Sequence, residues 1–250
     1  MERPVALITG AASGIGRAVC RALAARDHLV IAADIDLPGA ELVAAEVEGR
    51  AVELDVRELA ANEAAVAFTL EQAGRLDHIF LNAGISTGTG FGDEFDLETY
   101  RRAMSINLDG VVFGLQAALP ALKATEGSAV ATASLAGLTP VPMDPFYAAN
   151  KHAVVGLVRS AGPALQVDGV RLNAICPGFT ESAIIAPIRD GLLEGGVPII
   201  ETAVVADAVV SLLEAQTVGD CVFVQSGRPP APFAFRNIPG PRPIDPEAVS

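Results

Sequence analysis

Residues 5–16 read "VALITGAASGIG": an apolar run, a break at Thr9 and Gly10, further glycines at 14 and 16, and then a segment rich in Arg, Ala and Leu. A short continuous apolar run that ends on glycine fits a strand buried on both faces. Glycines let the backbone turn tightly and approach a ligand with no Cβ in the way. A helix starting there offers free N–H groups at the positive end of its dipole. Gly10, Ser13, Gly14, Ile15 and Gly16 therefore form a candidate cradle for a pyrophosphate. A plain strand-to-helix turn uses the same residue types; the place of this one, after the first strand and opening the first helix, favours the cradle.

Downstream, the pattern repeats. Apolar runs at 5–9, 28–33, 51–54, 77–81, 128–134, 170–176 and 221–225 alternate with Ala-, Leu- and Glu-rich segments at 15–26, 58–74, 97–125 and 146–167 that read as helices. Near-continuous apolar strands alternating with helices predict an α/β fold, a doubly wound parallel sheet of seven strands with helices on both faces. A chain of 250 residues accommodates this as a single domain, 1–227, followed by a tail at 228–250. Seven prolines in that tail exclude a regular helix or a central strand.

Composition narrows the partners. Thirty acidic against 17 basic residues give a net charge of −13, which repels nucleic-acid backbones and anionic lipid alike. No apolar run has the length of a signal-peptide core or of a membrane span, so a soluble, cytoplasmic protein is expected. Cys20, Cys176 and Cys221 are widely spaced in apolar segments and read as buried thiols, and His28, His78 and His152 are equally scattered. No metal site is expected.

In a doubly wound sheet, ligands bind beyond the carboxyl ends of the strands. The second strand ends at Asp34, 18 residues after Gly16, where a carboxylate can accept from both adenosine ribose hydroxyls and would repel a 2′-phosphate. Neither Ser13 nor Ile35 is basic, which favours NAD over NADP; a turn or capping aspartate is the competing reading. Tyr147 and Lys151, in "YAANK", stand four positions apart in a chain with only two tyrosines. On a helix they share a face, although an aromatic ring covered by an alkyl stem would look the same.

Taken together, "TGAASGIG" at 9–16, "LDV" at 54–56, "NAG" at 82–84, Asn107 in "SINLDG", Ser134 in "ATASLAG", "YAANK" at 147–151 and "NAICPGFT" at 173–180 resemble the short-chain dehydrogenase/reductase family over residues 5–224. The resemblance implies a Rossmann-like fold and an NAD-dependent oxidoreductase acting on a secondary alcohol or ketone. It assigns adenine contacts to Asp55 and Val56, close approach of the cofactor to Asn82, Ala83 and Gly84, and the nicotinamide carboxamide to Pro177, Gly178 and Thr180. It makes Tyr147 the general acid/base, Lys151 the group that lowers its pKa and binds the nicotinamide ribose, Ser134 the donor to the substrate oxygen, and Asn107 the holder of a relay water. For Ser134 alone a backbone-satisfied strand end, and for Asn107 alone a helix kink, would serve equally well.

The chain departs from the family at its end, where "VFVQSGRPPAP" replaces an Asp-Gly-Gly turn. Phe233 and Phe235 suggest that the tail packs across a neighbouring subunit or over the pocket, free disorder being the other reading. Residues 181–200 resemble a mobile lid with Gly191, Gly195 and Gly196 as hinges and Ile184, Ile185 and Leu192 facing inward. With Leu138, Val141, Met143, Phe146 and the substrate contact Phe179, this predicts an apolar pocket for a hydrophobic or cyclic substrate. The alternative is a catalytically silent dinucleotide sensor or scaffold. The resemblance also implies a homotetramer, with a dimer as second choice, formed through the helices at 97–125 and 146–167.

Overall fold

The computed structural model describes residues 3–236. The apolar runs become parallel strands: β1 (Val5–Thr9), β2 (Leu29–Asp34), β3 (Arg50–Glu53), β4 (His78–Leu81), β5 (Ser128–Thr132), β6 (Arg171–Pro177) and β7 (Cys221–Val224). An eighth, β8 (Ala231–Pro232), pairs antiparallel with β7, so the sheet runs β3-β2-β1-β4-β5-β6-β7-β8 and has one strand more than the sequence predicts. The extra strand comes from inside the proline-rich tail. Proline bars a central position but not an edge, where its missing N–H goes unused.

Strand residues alternate between two cores. Val5 and Leu7 of β1 point to one face with Leu115, Leu122, Val154 and Val158, while Ala6 and Ile8 point to the other with Val19, Leu23, Val205 and Val209. The first face is covered by α3 (Leu59–Ala73), α5 (Gly110–Thr125) and α6 (Pro145–Leu165), the second by α1 (Gly14–Ala24), α2 (Leu37–Glu46) and α8 (Thr202–Glu214). Each fully buried Leu or Ile contributes about 1.5–3 kcal/mol by leaving water, which makes the two-sided sheet the dominant stabilising unit. Cys20, Cys176 and Cys221 are free and buried, as expected. The helices α2 and α8, and the short α7 (Arg189–Glu194), lie outside the segments read as helical from the sequence. Pro38 and Gly39 obscure α2, but Asp36 caps it by accepting from the Gly39 N–H at 3.2 Å, and proline is tolerated in a first turn.

The segment 97–125 is not one regular helix. It comprises α4 (Leu97–Met104), a π-helical turn at Ser105–Asp109 and α5. By length and composition this run would pass for a membrane span, contrary to the sequence expectation; here its buried face packs on α3 and β4.

The tail turns back on its own chain. Phe233 N donates to the Cys221 carbonyl at 2.8 Å, the Phe233 and Phe235 rings meet edge-on at 4.9 Å, and the Arg159 guanidinium lies 3.7 Å from the Phe235 ring centre. Residues 231–235 thus pack on β7 and α6, running toward the amino end of β7, and join the sheet of the 1–227 domain. Residues 237–250 of the tail lie outside the described residues.

Candidate active site

The glycine-rich turn is held by backbone contact. Gly10 and Gly14 have φ of +66° and +51°, and a Cβ on Gly16 would stand 2.0 Å from the Gly10 carbonyl oxygen, so the helix start and the turn touch. At the head of α1 Ser13 makes no side-chain capping bond, whereas Asp36, Asp96 and Asp144 cap α2, α4 and α6. The first-turn N–H groups of α1 therefore face the end of the sheet without a side-chain acceptor, which fits an anionic pyrophosphate.

Asp34 stands beside this turn. One carboxylate oxygen accepts from Ala12 N at 2.9 Å and the other from Asp36 N at 3.0 Å, so it is a turn aspartate with lone pairs remaining for a ligand. Ile35 is 62% exposed and presents no cation, and Arg17 is paired with Glu46. Asp55 is gripped by Arg57, whose hydrogen bonds hold the carboxylate below its usual range despite partial burial. Val56 is buried, and its carbonyl accepts from Asn62 Nδ2 at 3.0 Å, leaving its N–H as the polar group toward a ligand.

Asn82 ties three strand ends together. Its Nδ2 donates to the Thr9 and Gly10 carbonyls at 3.1 and 3.3 Å, and its Oδ1 accepts from the Thr132 hydroxyl at 3.1 Å. The Thr9 hydroxyl in turn accepts from Asn82 N and Ala83 N at 2.9 and 3.1 Å. Asn82 therefore shapes the floor on which Ala83 and Gly84 lie. A Cβ on Gly84 would be 3.2 Å from Asn107 Oδ1 and 3.6 Å from Lys151 Nζ, which places these three residues together.

Asn107 sits in the π-helical turn, fully buried, and both ends of its amide are used: it accepts from Ile85 N and donates to Ile85 O, each at 2.8 Å. Its side chain fixes the backbone beside Lys151 and keeps one lone pair and one N–H beyond these two bonds. Ser134 follows β5. Its hydroxyl accepts from Ala136 N at 3.1 Å, makes a long contact with the Pro177 carbonyl at 3.4 Å and stands close enough to the Tyr147 phenol to favour its ionised form.

Tyr147 and Lys151 lie on α6, one turn apart, as the spacing predicts. Burial pushes the phenol up to about 12, with the Ser134 bond pulling the other way and the Asp144 charge adding to the rise. Lys151 is 2% exposed, donates to the Thr132 carbonyl at 2.7 Å, and is brought down to about 8 by burial. In the chain alone, desolvation dominates the phenol; the sequence expectation assigns the lowering to Lys151 acting together with the oxidised nicotinamide.

Beyond β6, Pro177 is buried, Gly178 N donates to Val224 O at 2.9 Å, and buried Thr180 donates to Gly178 O at 3.0 Å. Ile200 N donates to Phe179 O at 2.8 Å and Glu181 N to Ile200 O at 3.0 Å, so the segment 181–199 is a loop closed at its root. Ser182, at that root, lies 3.4 Å from a Cβ built on Gly14, which brings this loop to the glycine-rich turn. Phe179 is 43% exposed. Phe146 is no pocket wall: it is buried in an edge-on cluster with Phe91, Tyr100 and Phe95 at 4.8, 5.3 and 5.6 Å, and Met143 projects into solvent. An open cavity of about 730 Å³ lined by Leu70, Leu76, Pro120 and Thr125 lies at the amino ends of β4 and β5, away from this cluster.

Sequence reasoning passed over Thr9, Thr132 and Asp144. The first two are ordinary strand residues in sequence. The Asp-Pro pair at 144–145, a capping signature before a helix, was the available signal for the third.

A glycine cradle, a carboxylate at the second strand end and a Ser-Tyr-Lys cluster over the fourth to sixth strands define a dinucleotide-dependent oxidoreductase site. The chain belongs to the short-chain dehydrogenase family: the family model described as short chain dehydrogenase matches residues 4–192. It is 34% identical over 192 residues to the cyclohexanol dehydrogenase of Acinetobacter sp. (strain SE19), covering 74% of this chain and 76% of that one. It is 36% identical over 184 residues to the meso-2,3-butanediol dehydrogenase of Serratia marcescens, covering 72% and 73%. Among solved structures, the 3-ketoacyl-(acyl-carrier-protein) reductase of Brucella melitensis complexed with NADH superposes with a TM-score of 0.83 at 28% identity, over 91% of this chain and 98% of that one.

Proposed function

We propose that this oxidoreductase prefers NAD and interconverts a secondary alcohol and a ketone with a hydrophobic or cyclic portion. The observation that carries the chemistry is Lys151 Nζ 5.6 Å from the centre of the Tyr147 ring, one helical turn away, with the Ser134 hydroxyl close enough to the phenol to lower its pKa. Ser134 donates to the substrate oxygen and orients it, and the Tyr147 oxygen takes or returns the hydroxyl proton. Lys151, anchored by the Thr132 carbonyl, supplies positive potential beside the phenol. NAD supplies the hydride chemistry when bound. The cradle from Gly10 to Gly16 would hold its pyrophosphate, Asp34 its adenosine ribose, and Pro177, Gly178 and Thr180 its carboxamide. Asp34 beside Ala12, with no cation at Ser13 or Ile35 and Arg17 occupied by Glu46, supports NAD over NADP.

The substrate class rests on the named alcohol dehydrogenases that the chain resembles and on the exposed Phe179 just beyond β6. We further propose a cytoplasmic homotetramer built through α5 and α6, which sedimentation of the purified protein tests. The functional test is the initial rate of nicotinamide reduction across a panel of cyclic, aliphatic and aromatic secondary alcohols, with NAD and separately with NADP. Turnover with NAD that Tyr147→Phe abolishes is expected. Cofactor binding without turnover in either direction would favour the sensor reading.

A further inference from the structure

Asp144 accepts more hydrogen bonds than a helix cap requires. Its Oδ1 takes the Tyr147 N–H at 3.1 Å and the Thr87 hydroxyl, while its Oδ2 takes the Ser86 hydroxyl at 2.7 Å, Gly88 N at 3.0 Å and Thr87 N at 3.2 Å. The other aspartate caps, Asp36 and Asp96, serve the opening of their own helices only. The excess on Asp144 comes from one segment, 86–88, which follows β4.

That segment is fastened at both ends. Ile85, just before it, is held on both sides of its peptide by Asn107, and Gly84 touches the neighbourhood of Lys151 Nζ. Immediately beyond it, Phe91 and Phe95 pack on Phe146, which sits between Asp144 and Tyr147 in sequence. A strap therefore runs from beside Lys151 to the amino end of α6. The first turn of α6 holds it by a carboxylate at 144 and an aromatic ring at 146, flanking the Tyr147 backbone.

We infer that Asp144 is a positioning residue for the reaction: its two oxygens latch the strap 86–88 to the helix that carries Tyr147 and Lys151, and so set how substrate is held against Tyr147. The inference rests on the oxidoreductase reading only for its kinetic consequence. The latch itself is a property of the chain.

The substitution Asp144→Asn retains one acceptor oxygen, too few for the strap and the α6 N–H together, and puts an amide NH₂ among donors. Ser86→Ala with Thr87→Val removes the two hydroxyl donors and leaves the cap intact. Amide hydrogen exchange over 85–91 should accelerate in both variants, while 148–158 of α6 stays protected in the double variant. On whichever alcohol the wild type oxidises, KM for the alcohol should rise roughly tenfold in the double variant, with kcat within about threefold and KM for the cofactor unchanged, because positioning and not chemistry is lost. Asp144→Ala should lower kcat as well. Exchange is read without substrate, so failure of the proposed substrate class leaves that arm intact. Wild-type exchange over 85–91 in both variants would overturn the latch, and an unchanged alcohol KM with a loosened strap would overturn its role in substrate positioning.

Discussion

The Lys151 ammonium lies 5.6 Å from the centre of the Tyr147 ring and is spoken for by the Thr132 carbonyl at 2.7 Å, so the two groups are neighbours without being bonded to each other. In the proposed alcohol oxidation the base would be the Tyr147 phenolate, and burial holds the phenol at about 12 in the chain alone. Oxidation should therefore rise with pH through the neutral and alkaline range. Tyr147→Phe should lower kcat by about 10²–10⁴-fold at all pH values, with cofactor affinity retained, as rate and binding measurements would show. Ser134→Ala removes the hydroxyl that lowers the phenol and should move the rising limb to higher pH.

Lys151 carries a folding penalty that depends on pH. Its amine is at about 8 when buried against an ordinary value of 10.5, so the folded state disfavours the charged form. The sign follows: the penalty is full below pH 8 and fades as pH rises to 10.5, and for a shift of this size it is at most about 3 kcal/mol. Lys151→Met should gain stability relative to wild type more at pH 7 than at pH 10, with turnover lost. Urea unfolding at both pH values checks this, and a pH-independent difference would contradict it.

His78 should govern part of the acid response. Burial first, then the neighbouring His28 and Arg171, bring its imidazole down to about 4 from 6.5, with Asp77 opposing. The unfolded chain takes up the proton first, so stability is full above pH 6.5 and is lost as pH falls toward 4, by up to about 3 kcal/mol. His78→Gln should flatten the urea midpoint over that interval.

Cofactor choice should yield at the second strand end. Asp34→Ser, by removing the ribose acceptor, should weaken NAD use about tenfold, as expected for a lost charged hydrogen bond. Adding Ile35→Arg should raise the ratio of NADP to NAD kcat/KM further, by supplying the cation that the exposed position lacks.

Much of this was legible because it depends on local rules. The residues from Thr9 to Gly16 announce a strand, a turn and a helix start through glycine alone, and the interval from Tyr147 to Lys151 is one helical turn wherever it occurs. What escaped depends on partners distant in sequence. Phe146 looks like a pocket residue until Phe91 and Tyr100 surround it, and nothing in the sequence shows that the Asn82 amide bridges Thr9 and Thr132. The Lys151 shift follows from enclosure by several elements, which residue type and spacing cannot reveal. The helix α2 was missed for the opposite reason: its Pro-Gly opening breaks the local pattern, and one capping aspartate restores it.

The hairpin between β7 and β8 also bears on what the molecule avoids. A bare outer strand is a template onto which a foreign strand can add, extending the sheet without limit. Here the far side of β7 is occupied by two residues of the same chain, one of them Pro232, whose nitrogen cannot donate to a newcomer. One proline of a terminus that looks unstructured in sequence thus withholds a donor at the border where the sheet ends.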